Sequence, residues 1–475
     1  SAEIVLESPD GSWWGPSEFS ARGTQLLVTN YVSITDARAH VVDLDSGDVT
    51  LLAGGPDAPG YNVPVAFDDA DDGVWLLTDQ GSEFTQLAWQ PLEAGADPVI
   101  VTTDIPWNVS AVAMSDDRRR MAFTVNEGGT TALYLMDPRT REYRRVEGLP
   151  VGVAGSLQFS PDGSKLGLTL NTPQTPSDTF SLELGKRPLD YGKLTRWTYS
   201  EVGGLDTTTF VTPRLVRFPT FDEVDGKPRE IPAWVYTPPG DGPFPVVVSI
   251  HGGPESQARP YFSSTYQLWL RELGVAVVVP NVRGSAGYGK TYVALDNGFK
   301  REDSVRDIGA LLDWIGTQPE LDAERVAVFG GSYGGYMVLA SAVHYSDRLA
   351  AAVDIVGISS FVTFLENTQD YRRDLRRVEY GDERDPEMRA FLEKISPLNN
   401  VEEIAIPMFV VQGQNDPRVP VTEAEQIVKA LREQGHKVWY MNGLNEGHGF
   451  RRKENRDIYQ QATVLFFREH LLGGD

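Results

Sequence analysis

Cysteine is absent from the 475 residues, which excludes disulfides, thiol catalysis and thiolate-bound metals and fits either a reducing or an oxidising compartment. Long apolar runs are absent too. None approaches the roughly 18–20 residues that a bilayer-crossing helix needs, and stretches such as Val275–Pro280 are strand-sized, so the chain is read as soluble with no membrane partner. The sequence begins at Ser1 without an initiator Met and without a basic-then-apolar leader. The expectation is a processed, trimmed or engineered start, with localisation left open between cytoplasm and periplasm or exterior. Basic residues are scarce, giving a net charge of −24, and residues 1–210 carry 30 Asp and Glu against 14 Lys and Arg. Such a field repels nucleic acid, and the plain reading is an acidic solvated surface. No His-Glu-x-x-His or comparable cluster argues for a metal, and no cofactor is expected.

What is present falls into two halves. Strand-forming clusters around Phe19, Phe67, Met114 and Phe159 recur every 45 to 48 residues, each followed by an Asp/Gly-type turn, an apolar strand and a more polar hairpin. This period predicts four-stranded β-propeller blades, about four of them, with a β-sandwich pair or another solenoid as the alternatives. Between Thr198 and Asp225 the period lapses. Afterwards strand-sized and helix-sized segments alternate, which predicts a mostly parallel eight-stranded sheet covered by helices on both faces. Helices are expected over stretches such as Asp303–Thr317, Tyr336–Tyr345 and Thr422–Gln434. The predicted domains are therefore 1–205, all-β and propeller-like, and 206–475, of the α/β-hydrolase class.

The sharpest chemical signal is Gly330-Gly-Ser332-Tyr-Gly-Gly335, placed between the apolar strand Val326–Phe329 and a helix-forming run. That context is what a nucleophile elbow requires, with glycines where strand and helix pass too close for a Cβ. A serine hydroxyl needs a base, and the base needs an orienting carboxylate. Of only six histidines, His40 falls in the repeats, His344 on the helix leading away from Ser332, His436 between helix and strand, and His470 in the terminal helix. His251 closes a strand, leaving His448 in a loop after the last strand, on the edge where α/β sheets hold their sites. Asp416, in the loop after the strand Met408–Gln412, is the candidate acid and completes the order Ser, Asp, His. Gly253 and Tyr333 are the candidate backbone N–H donors to an oxyanion. The stretch Gly284 to Thr291 also satisfies a P-loop pattern, but it leaves no strand directly and precedes a mediocre helix, so nucleotide binding is not expected.

Together, His251-Gly-Gly-Pro, Asn281-Val-Arg-Gly-Ser-Ala-Gly-Tyr-Gly289, Gly330 to Met337, Asn415-Asp-Pro-Arg-Val-Pro420 and Glu446-Gly-His-Gly-Phe450 resemble the prolyl oligopeptidase family of serine peptidases. The likeness is greatest to its acylaminoacyl-peptidase or dipeptidyl-aminopeptidase-like branch. The resemblance implies a peptidase acting on short peptides, whose propeller screens substrates by size. It also implies that Arg418 binds a substrate carbonyl, while Phe361, Phe364 and Val419 line an apolar pocket. Relatives carry seven or eight blades, so either N-terminal blades are missing here or the propeller is unusually small. The Glu-Glu pair that holds a free amino terminus in dipeptidyl peptidase IV-like members is not seen, which tilts the expectation toward blocked or internal peptides. A carboxylesterase of the same fold and a dipeptidyl aminopeptidase are the alternatives, and self-association is left open.

Overall fold

The computed structural model describes residues 4–8, 12–93 and 96–474, so Ser1 lies outside them. The chain divides into two compact units. One holds Ser1–Thr207 with Arg259–Phe262 and Gly287–Thr291; the other holds Thr208–Ala258, Ser263–Ala286 and Tyr292–Asp475.

Among the described residues the first unit contains four antiparallel sheets of four strands each, in simple meander order. They are β1–β4 (Trp13–Phe19, Gln25–Ser33, Asp36–Asp43, Val49–Ala53), β5–β8 (Asn62–Phe67, Gly73–Thr78, Gln86–Pro91, Val99–Ile100), β9–β12 (Asn108–Met114, Met121–Glu127, Thr130–Met136, Tyr143–Arg145) and β13–β16 (Val153–Phe159, Lys165–Asn171, Asp178–Leu184, Tyr191–Arg196). Phe19, Phe67, Met114 and Phe159 each end the first strand of a blade, so the sequence period marks the same structural position four times. The turn that follows is also repeated: Gly23, Asp71, Arg118 and Gly163 all take left-handed backbone, with φ of 68°, 56°, 57° and 65°. Arg118 tolerates that position while its guanidinium binds the Glu18 carboxylate at 2.8 Å and the Phe67 carbonyl at 3.0 Å. Blades bury their faces on their neighbours, as where Trp75 and Leu87 pack with Phe123 and Val125.

The second unit is an α/β-hydrolase fold built on one eight-stranded sheet in the order β17-β18-β20-β19-β21-β22-β23-β24. These strands are Arg214–Val224, Lys227–Tyr236, Phe244–Ile250, Ala276–Pro280, Leu321–Gly331, Ala351–Ile355, Met408–Gly413 and Val438–Gly443, numbered β17 to β24 in chain order. The first two pairings, β17 with β18 and β18 with β20, are antiparallel and all the others parallel. Central strands such as Val246-Val-Val-Ser-Ile read as continuous apolar runs because both faces are covered. In β23, Phe409 and Val411 meet Phe466 of the helix Lys453–His470, whereas Val410 meets Ala424 and Val428 of the helix Val421–Glu433. Five parallel neighbours, β19 to β24 without β20, bring their C-terminal ends to one edge, where the loops carrying the candidate chemistry emerge. Among the described residues no helix is long and apolar enough to cross a membrane.

Candidate active site

Ser332 stands between the end of β21 and the helix Tyr333–His344 with φ 60° and ψ −121°, backbone that costs a non-glycine residue about 1–3 kcal/mol. Its own N–H donates to the Ile355 carbonyl at 2.9 Å, and its carbonyl accepts from Gly335 N–H at 2.9 Å. The glycines around it are dictated by contact. A Cβ on Gly334 would lie 2.2 Å from the Ile250 carbonyl, and one on Gly330 would lie 2.4 Å from the Gly334 carbonyl. Strand, turn and helix can therefore pass one another only with glycine at both places. The helix begins at Tyr333 rather than at Tyr336 as the sequence suggests. Two glycines lower local helix propensity, but packing against β21 and β22 overrides it.

The candidate acid and base come from adjacent loops tied together by backbone. Asn415 N–H donates to the Glu446 carbonyl at 2.9 Å, and a Cβ on Gly413 would lie 2.0 Å from the Gly447 carbonyl. The Glu446 carboxylate, buried, accepts from the N–H groups of Arg451 and Arg452 at 3.0 Å each and from Asn455 at 2.7 Å, which fixes the turn that carries His448. Asp416 Oδ2 meets His448 Nδ1 at 2.7 Å, while Oδ1 accepts from Arg418 N–H at 2.8 Å and Val419 N–H at 3.1 Å. A carboxylate only accepts, so Nδ1 carries the hydrogen and Nε2 keeps the lone pair that a general base uses. The acid's side chain is fully buried and the imidazole partly open.

The loop proposed for the oxyanion lies beside the serine, since a Cβ on Gly252 would meet the Gly331 carbonyl at 2.9 Å and Ser332 Cβ at 3.3 Å. Gly253 takes φ 129°, a conformation that suits glycine. His251 is held by the Gly252 carbonyl at 2.8 Å and Ser285 Oγ at 2.9 Å, and burial lowers its proton affinity, so it is a neutral, structural residue. Below the turn, the Tyr333 ring is buried, with its hydroxyl against Arg301 Nη1 at 3.2 Å and Ser304 Oγ at 2.9 Å.

The remaining sequence candidates separate into exposed and buried. Arg418 is exposed, two residues past the acid. Val419 is buried, and Phe361 and Phe364 are buried in a ring cluster with Tyr380, which Tyr336 also joins through Phe361. In the P-loop-like stretch, Lys290 Nζ donates to the Asp79 carbonyl at 2.9 Å. The Glu83 carboxylate occupies Thr291 N–H at 2.6 Å and its hydroxyl at 2.8 Å. A carboxylate sits where a phosphate would have to bind.

Sequence reasoning missed the buried charges around the site, among them Asp354 at the end of β22. Its Oδ1 lies in a space walled by Gly335 and Gly357, where a Cβ on either glycine would come within 2.4 Å or 2.1 Å of it. Burial, offset in part by the Gly357 N–H and reinforced by the Glu423 charge, pushes its carboxyl up to about 7. An unfolded Asp ionises near pH 4. The folded state accordingly loses stability as pH rises between about 4 and 7, by up to about 4 kcal/mol. Asp354→Asn has no such loss, so its melting temperature relative to the parent should climb between pH 5 and pH 8. A difference that stays flat across that range in differential scanning calorimetry would refute this account.

Residues 260–475 match the model of the prolyl oligopeptidase family. The chain is 36% identical over 239 residues to dipeptidyl aminopeptidase BIII of Pseudoxanthomonas mexicana, covering 49% of this chain and 34% of that protein. It is 25% identical over 241 residues to the acylamino-acid-releasing enzyme of Rattus norvegicus, covering 49% of this chain and 32% of that one. The chain thus matches about a third of the length of either relative. A puromycin-hydrolysing peptidase of Mycobacterium tuberculosis superposes with a TM-score of 0.85 at 21% identity, over 98% of this chain and 70% of that one, a likeness of fold.

Proposed function

We propose that the chain, whose residues 260–475 match the prolyl oligopeptidase family model, is a serine peptidase that hydrolyses short peptides through an acyl-enzyme. Ser332 attacks the scissile carbonyl, His448 takes the hydroxyl proton and passes it to the leaving amine, and Asp416 orients the imidazole and stabilises its charged form. Water then attacks the acyl-enzyme by the same steps in reverse order. Gly253 N–H and Tyr333 N–H hold the developing oxyanion, and Arg418 meets a substrate carbonyl. The observation that carries this reading is the Asp416–His448 pair, its carboxylate buried and its imidazole partly open, on the same sheet edge as the strained turn that presents Ser332.

A dipeptidyl aminopeptidase reading is favoured separately by the relative of that name at 36% identity. N-acetyl-aminoacyl, free dipeptidyl and internal-proline anilides, compared with p-nitrophenyl esters of simple acids, separate the readings. The expected result is hydrolysis of at least one peptide anilide class and labelling by a fluorophosphonate probe. Ester hydrolysis with no anilide turnover would make the protein an esterase, and absence of labelling would remove the nucleophile.

A further inference from the structure

The helix Asp370–Tyr380 lies against the loop proposed to hold the oxyanion, and three residues on one of its faces converge there. Arg376 Nη1 donates to the Gly253 carbonyl at 3.2 Å and also pairs with the Glu379 carboxylate. Tyr380 donates its hydroxyl to the same Gly253 carbonyl at 3.2 Å. Positions 376, 379 and 380 share a helix face by their spacing, and all three side chains are buried or nearly so. The same helix reaches the second oxyanion residue. The Tyr380 ring stacks on the Tyr333 ring at 5.9 Å, and Arg301 bridges the Glu379 carbonyl at 2.6 Å to the Tyr333 hydroxyl.

Resting on the reading above, we propose that this helix is the platform that aims both oxyanion donors, with Arg376 and Tyr380 as positioning residues. Neither reaches the reacting atoms in this account. The Gly252–Gly253 amide is held at its carbonyl by the His251 ring at 2.8 Å, but a glycine preceded by another glycine has few intrinsic restraints, so Gly253 needs a second anchor to keep that amide aimed. Two donors on the next carbonyl along the chain supply it. Arg376 is in turn held in place by Glu379, so its guanidinium cannot swing away without leaving a buried carboxylate unpaired. Preorganised amides accelerate the step that builds negative charge and contribute little to ground-state binding.

The test measures kcat and KM on a peptide anilide, and the inhibition constant of an aldehyde of the same peptide sequence, which forms a tetrahedral adduct on serine. Arg376→Gln should lower kcat roughly 10- to 100-fold, part of what deletion of one donor costs. KM should stay within about two-fold of the parent, and aldehyde affinity should weaken in step with kcat. Tyr380→Phe removes one donor, leaves no charge unpaired and should lower kcat by about three-fold or more. An unchanged kcat in folded Arg376→Gln would overturn the proposal, as would a loss of kcat with undiminished aldehyde affinity. Should Arg376→Gln fail to fold, Tyr380→Phe decides alone: a kcat equal to the parent's overturns it. Turnover surviving in Ser332→Ala would instead sink the site reading itself. An inactive Ser332→Ala beside a fully active Arg376→Gln sinks only the positioning role.

Discussion

Ser332→Ala is expected to lower kcat on peptide anilides by roughly 10⁶-fold, the scale on which removal of a serine nucleophile operates when base and acid can no longer act without it. The residual rate would come from substrate binding and the oxyanion donors alone. The change removes one oxygen and adds none, and the bonds that shape the turn, from Ser332 N–H to Ile355 and from Gly335 N–H to the Ser332 carbonyl, are made by backbone. Circular dichroism and melting temperature should therefore match the parent while fluorophosphonate labelling disappears. A variant that still turns over anilides at a tenth of the parental rate would show the nucleophile to be elsewhere.

Asp416→Asn should cost about 10⁴-fold in kcat, and the reason lies in which oxygen does what. Oδ1 faces two backbone N–H groups, of Arg418 and Val419, and Oδ2 faces His448 Nδ1. In asparagine the amide oxygen must remain opposite the two N–H donors, which puts the NH₂ group against the ring. Nδ1 is then obliged to accept, the hydrogen moves to Nε2, and the imidazole can no longer take a proton from an alcohol. The loops remain stitched by the Asn415 to Glu446 and Gln414 to Gly443 backbone bonds, so the fold should persist. A histidine proton spectrum reports the tautomer directly. If the variant shows Nδ1–H as in the parent, or keeps more than a tenth of the activity, the role assigned to Asp416 fails.

Much of this was legible because local rules and tertiary structure agree. The four blade markers recur at one strand end because each hairpin needs the same left-handed turn residue at the same offset, and β22 (Ala351–Ile355) coincides with its apolar run. The serine, aspartate and histidine candidates stand out in the sequence because glycine-rich elbows and loops after parallel strands have few other uses. What stayed hidden is long-range. The run from Asp370 to Glu387 holds so many charges that it reads as a solvated surface. Yet Arg376, Glu379 and Glu383 are turned inward and paired. Nothing in spacing alone tells which charged face of a helix will find Gly253, 123 residues away. Strand β21 also starts at Leu321, five residues before the apolar run Val326–Phe329, because Leu321 pairs with Phe244.

β24 closes the sheet on one side, with β23 as its single neighbour, and the imidazole is carried by the loop that leaves β24. A terminal strand frays at lower free energy than the strands inside it. Under heat or mild denaturant, the proposed proton acceptor is thus the member of the proposed trio most readily displaced, while Ser332, held at the end of the interior strand β21, stays in place. Inactivation would run ahead of global melting, and hydrogen exchange along residues 438–443 would track it more closely than exchange along β21.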